Sequence, residues 1–170
     1  MGDQSKLKYS NKKLRTHNRT WYGLEAEVTV SESNLHQVKL PKITLPHPGV
    51  VNWFSRQGLP VDTRLELTAL HEFGHLQTLP VPLTHLLLLL WPRRGKPRIT
   101  GWRRFGLILL SHQTIWEVAS ESYVVASDRR ALTAPRPRWA HGLYAFFWAC
   151  VIIFSLLATF LLLESDQDAP

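Results

Sequence analysis

The stretch TALHEFGHLQT, residues 68–78, sets His71 and His75 four positions apart, with Glu72 directly after the first histidine. On a helix, residues four apart lie on one face, one turn along. Two neutral imidazoles so placed can share one metal ion. Zn2+ takes such ligands tetrahedrally, and a catalytic site keeps one position open for water. Glu72 is rotated from the histidines by about 100°, which suits a proton acceptor for that water better than a ligand. The ion brings the water's pKa to about 7, so a carboxylate can act as general base at neutral pH. The chemistry that fits this spacing is metal-assisted hydrolysis.

Such a site needs a third protein ligand. The downstream candidates are His85, His112, Glu117, Glu121 and Asp128. WEVASESYVVASD puts Glu117 and Glu121 four apart on one predicted helix face, with Asp128 further along the same stripe. On a solvated helix, carboxylates at this spacing repel mildly. A metal site gives them separate tasks: one binds the ion, and the other accepts the spare N–H of a ligand histidine. The residue types alone leave open which of the two does which. Tyr123 and His112 carry groups able to donate to an oxyanion.

Several elements must position these residues. Leu24, Ala26, Val28 and Val30 alternate with Glu25, Glu27 and Thr29, the period of a half-buried strand. QVKLPKITLP alternates too, but Pro41 and Pro46 cannot donate ladder hydrogen bonds, so an edge strand is expected there. A turn-rich connection follows. A helix is expected from near Thr63, where TRLE has the form of a capping box, through His75 and ending by Pro80. Gly74 keeps the backbone surface clear between the two histidines. Residues 105–132 are expected to form one or two helices. The expected fold class is α+β: a small edge-strand sheet packed on the HExxH helix and on a glutamate-bearing helix, with one transmembrane helix at the C-terminus.

HEFGH followed by E-x-x-x-acid resembles the gluzincin metallopeptidases. EVASESYVVAS is similar to the E-x-x-A-D-x-[FY]-A-A segment of the HtpX-like and CAAX-protease-like membrane enzymes. The likeness covers about residues 35 to 130, and HExxH is its more specific part. The resemblance implies His71, His75 and Glu117 as ligands of a single Zn2+, Glu72 as general base, and Glu121 as the carboxylate behind a ligand histidine. It implies that the substrate lies along the strand around Ile43, Thr44 and Leu45, adding to it by main-chain hydrogen bonds. The chain departs from the pattern: Glu121 stands where the family has Asp, and Ser120 where it has Ala. HtpX-like members also carry two full spans between the motifs, whereas the apolar segments here are shorter.

The charge pattern bears on location. Leu143 to Leu163 contains no charged residue and is long enough to cross a bilayer. All 20 Lys and Arg precede it, and only the acids Glu164, Asp166 and Asp168 follow. Lys and Arg are retained on the cytoplasmic side, so a cytoplasmic domain with a short acidic tail outside is expected. No apolar run follows the first charges, so no secretory signal is expected. The lone Cys150 excludes a disulfide within the chain. A pI near 9.9 would suit nucleic acid, but no nucleic-acid motif accompanies it, and basic residues beside a span meet anionic headgroups. No nucleic-acid partner is expected; the partners are a peptide substrate and the lipid bilayer.

The expected organisation is a basic tail (1–20), a zincin-like domain (21–134) containing a membrane-associated hairpin (79–115), a linker (135–142), the span (143–163) and an acidic tail (164–170). A helix over Leu79–Trp91 reaches only about 20 Å, against a hydrocarbon core of about 30 Å. The hairpin is therefore expected to pack on the domain or dip into the near leaflet. The function expected is a membrane-anchored zinc endopeptidase. Two alternatives stand beside it. One is a partner-specific regulatory protease, since the segment from Glu117 also resembles the ImmA and IrrE-like peptidases. The other is a non-catalytic interaction subunit with a closed zinc site of four protein ligands.

Overall fold

The computed structural model describes residues 19–24, 26–30, 37–39, 42–45, 56–91, 96–97 and 99–166. The basic tail before Arg19, the turn-rich 46–55 and the last four acidic-tail residues lie outside the described residues.

Five helices follow one another: α1 (Val61–Gln77), α2 (Pro80–Leu90), α3 (Gly101–Ser127), the short α4 (Arg130–Thr133) and α5 (Arg138–Leu163). The α+β expectation is corrected, because the described residues are predominantly helical and helix packing, not a sheet, forms the body. Apart from Ala26, every buried hydrophobic side chain among the described residues sits in a helix or in a turn beside one. The body is helix on helix: α1 against α3, α2 against α3, and α3 against α5. The reason is burial. Leu67 on α1 and Val124 on α3 are fully enclosed with Leu59, Ala131 and Ala134, and each large side chain so buried contributes about 1.5–3 kcal/mol.

Strand pairing is confined to short backbone stretches. Glu27–Val30 runs parallel to Lys42–Leu45, and Gln37–Lys39 runs antiparallel along its other side. The expected edge strand is thus the middle strand of three. Lys42, Ile43 and Thr44 are paired on both sides and Leu45 on one, so Ile43 and Thr44 present no open edge to which a substrate strand could add.

Helix α1 starts at Val61 after Pro60, earlier than TRLE suggested, and no side chain caps it. Thr63 is already inside the first turn, so the capping box is not used. Arg64 N–H bonds to the Pro60 carbonyl at 2.9 Å instead. The path bends by 48° between α1 and α2, where Pro80 enters the first turn of α2. Helix α5 is long and apolar enough to span a membrane, and only 17% of its most apolar window is buried within the protein. That low burial separates it from a core helix, which hides most of its surface.

Candidate metal centre

Helices α1 and α3 approach closely at the site. Gly74 makes this possible: a Cβ there would stand 2.7 Å from Ser120 Oγ and 3.0 Å from Ser120 O. Ser120 Oγ donates to the carbonyl of His71, and Trp116 Nε1 donates to the carbonyl of His75 at 2.8 Å. These two bonds tie the ligand-bearing turn of α1 to α3 through its backbone. Phe73, on the other side of that turn, packs with Ala26, Ala69 and Leu76, and Tyr123 closes over it.

On this frame His71, His75 and Glu117 bring one ligand atom each within 4.8 Å of one another. Glu117 Oε2 lies 3.1 Å from His71 Nε2, and Oε1 lies 3.6 Å from His75 Nε2. Two ligands about 2.0–2.1 Å from a tetrahedral zinc are separated by roughly 3.3 Å. The three donors therefore lie close enough to bind one metal ion, and two imidazoles with a carboxylate are a donor set that Zn2+ accepts. The His71 and His75 rings stand edge to face, 87° apart. Gln113 Nε2 donates to Glu117 Oε1 at 3.1 Å, one turn before it on the same helix.

Glu121 takes the opposite nitrogen. Its Oε2 accepts from His71 Nδ1 at 2.9 Å. With Nδ1–H committed there, Nε2 is the nitrogen that would offer its lone pair to an ion once its own proton is displaced. Glu121 is itself clamped: Arg56 donates to both oxygens at 2.7 Å, and Tyr144 on α5 donates to Oε1 at 2.9 Å. Arg56 is 2% exposed and Glu121 4%, so this forked pair works out of water, where its geometry is held strictly.

The electrostatics follow from burial set against these bonds. Burial disfavours charge on His71, but its hydrogen bonds to Glu117 and Glu121 outweigh that and push it up to about 9. Burial would raise Glu121, yet the His71 and Arg56 bonds hold it down to about 2. Glu121 is therefore anionic, as the acceptor of the His71 Nδ1–H must be.

Glu72 is buried on the same turn of α1. His85 and His112 are drawn elsewhere. His85 Nε2 sits 3.0 Å from Thr159 Oγ1, and His112 Nδ1 sits 3.2 Å from the Pro82 carbonyl. Asp128 pairs with Arg130 outside the site. Arg56, Trp116 and Tyr144 were not legible as site residues. Arg56 lies in the turn-rich stretch before α1, and Tyr144 lies in the apolar run. A polar hydroxyl near the start of that run is the one signal that could have found it.

Compared with known proteins, the chain matches no family model, no curated protein and no solved structure.

Proposed function

We propose that this protein is a membrane-anchored zinc endopeptidase in which His71, His75 and Glu117 hold the ion and Glu72 is the general base. The observation that carries this reading is the convergence of His71 Nε2, His75 Nε2 and Glu117 on one point while His71 Nδ1 is anchored on Glu121. Zn2+, when bound there, supplies a Lewis acid that lowers the pKa of water and polarises a carbonyl. Glu72 takes a proton from water as it attacks the peptide carbonyl and passes it to the leaving amine. Glu121, Arg56 and Tyr144 keep the His71 ring in one tautomer and orientation throughout. The scissile segment is a peptide, in keeping with the HExxH-to-glutamate arrangement, and the span α5 keeps the site beside a bilayer. The charge asymmetry of the chain favours a cytoplasmic site and an external acidic tail.

The test is zinc content and peptide hydrolysis of the full chain in detergent or vesicles, beside Glu72→Gln. The variant is expected to bind zinc stoichiometrically and to lose hydrolysis by 100-fold or more, the upper part of the ~10²–10⁴ range typical of general-base contributions. Undiminished turnover in Glu72→Gln would reject the mechanism. Zinc retained with no hydrolysis by the unaltered chain of any peptide, or of membrane proteins, would favour the non-catalytic alternative.

A further inference from the structure

We infer that the α2–α3 hairpin crosses the bilayer together with α5, so that its basic tip emerges on the same side as the acidic tail. This replaces the expectation of a hairpin dipping into the near leaflet, and it does not depend on the hydrolytic reading.

Contacts at two levels define the arrangement. At the tip, Arg104 on α3 donates to the carbonyls of Leu162 on α5 and Leu89 on α2, at 3.4 and 3.3 Å. The last turns of α2 and α5 and the first turn of α3 therefore lie together. Beyond them, Lys96 and Pro97 of the connector pair antiparallel with Asp166 and Ser165 of the tail. At the other level, Tyr144 near the start of α5 meets Glu121 on α3. From Arg104 to Glu121 is about 26 Å along α3, and from Leu162 to Tyr144 about 27 Å along α5, at 1.5 Å per residue. Two helices thus give the same separation between tip and site, close to the roughly 30 Å hydrocarbon core. If α5 spans, α3 beside it spans as well, and the connector lies at the far end.

The surfaces suit lipid. Leu87, Leu88 and Leu90 on α2 and Phe105, Leu109 and Leu110 on α3 are all exposed. The outer face of α5 continues them. Inside, the polar groups turn to each other: Ser111, fully buried, lies 3.2 Å from Thr159 Oγ1, which lies 3.0 Å from His85 Nε2. Segments in lipid must satisfy their polar groups internally, and small hydroxyl residues commonly join helices there. Six cations of the tip, Arg93, Arg94, Lys96, Arg98, Arg103 and Arg104, stand against the charge rule. The acids Glu164, Asp166 and Asp168 follow α5 in the sequence and so emerge on the same side, and Arg104 is spent on helix-end carbonyls. The crossing is shorter on α2, and the bent α1–α2 path makes up the difference. One consequence is that the metal-ligand cluster sits level with Tyr144, the second residue of the apolar run, at the near boundary of the bilayer.

The experiment is side-selective labelling of the full chain in sealed membrane vesicles. Single cysteines at Thr100, Ser127 and Ala169 are placed in a Cys150→Ala background and exposed to an impermeant maleimide. Thr100→Cys and Ala169→Cys are expected to label from one face, and Ser127→Cys from the other. Thr100→Cys labelling together with Ser127→Cys, or all three from one face, overturns the crossing. As a second measurement, the pair Pro97→Cys and Ser165→Cys is expected to form a disulfide on mild oxidation in the membrane. Its absence overturns the juxtaposition of tip and tail.

Discussion

Glu121 Oε2 lies 2.9 Å from His71 Nδ1, while Glu117, one turn earlier on α3, stands 3.1 Å from Nε2 of the same ring. One imidazole is thus held between two glutamates with different tasks. Glu117→Gln is expected to lose stoichiometric zinc. Glu121→Gln is expected to keep a measurable site with affinity reduced about 10–100-fold, the usual effect of losing a carboxylate behind a ligand histidine. Zinc titration against a competing chelator reads both, and equal loss in the two variants would contradict the division of roles.

Arg56 and Glu121 form a buried forked pair, so removing one leaves the other charged and uncompensated. Arg56→Met alone should cost about 3–5 kcal/mol of stability. The double variant Arg56→Met with Glu121→Leu should be less destabilised than the sum of the single variants, because no unpaired charge remains. Chemical unfolding of the four species in one detergent makes the comparison. Tyr144→Phe removes one hydrogen bond to the same carboxylate and should cost about 1.5–3 kcal/mol. Additivity across the Arg56–Glu121 cycle would show that the pair is not coupled.

Stability in the presence of a chelator should depend on pH in a definite sense. His71 is raised to about 9 from 6.5. Its contribution is complete below about pH 6.5 and is lost as pH rises through 9. Glu121 is lowered to about 2 from 4.5. Its contribution is complete above about pH 4.5 and is lost as pH falls through 2. The chelated protein should therefore be most stable between about pH 4.5 and 6.5. Zinc must displace the proton on His71, so zinc affinity should rise with pH up to about 9. Melting temperatures with and without zinc, stepped from pH 4 to 10, check this. A chelated protein whose stability peaks near pH 9 would refute it.

Gly74→Ala sets two effects against each other. Alanine favours an exposed helix interior over glycine by about 1 kcal/mol. Here its Cβ would meet Ser120 Oγ at 2.7 Å and Ser120 O at 3.0 Å, and overpacking of this kind costs about 1–3 kcal/mol. The clash should win, separating α1 from α3 and weakening zinc binding at least tenfold. Ser120→Ala added to it relieves the nearer contact but not the backbone one, so recovery should be partial. Zinc affinity and melting temperature read the series, and a more stable Gly74→Ala protein would mean that the helices are not held this close.

Much of the site was legible because its signals are local. Four-residue spacing on a helix brings His71 and His75 together whatever else the chain does, and the same rule aligned Glu117 with Glu121. The apolar run from Leu143 to Leu163 carries its own length and lack of charge, and α5 follows it closely. The edge placement of Lys42–Leu45 failed for a different reason. Alternation in 24–46 is a local pattern, but whether a strand lies at an edge depends on partners distant in sequence, and Lys42–Leu45 acquired one on each side. The α+β expectation failed with it, because which elements form the core is decided by area buried between helices.

What the sequence by itself determined is the set of groups on offer: two imidazoles, a glutamate beside the first, a pair of carboxylates and one long apolar helix, all set by spacing along the chain. Only the tertiary structure decided which carboxylate faces which nitrogen, that Arg56 and Tyr144 lock Glu121 in place, and that α2, α3 and α5 share a tip. The physical reason is that helical periodicity fixes the directions of side chains within a few turns. The meeting of residues such as Arg56 and Glu121, 65 positions apart, depends on how helices dock, and that is settled by burial and close approach across the whole chain.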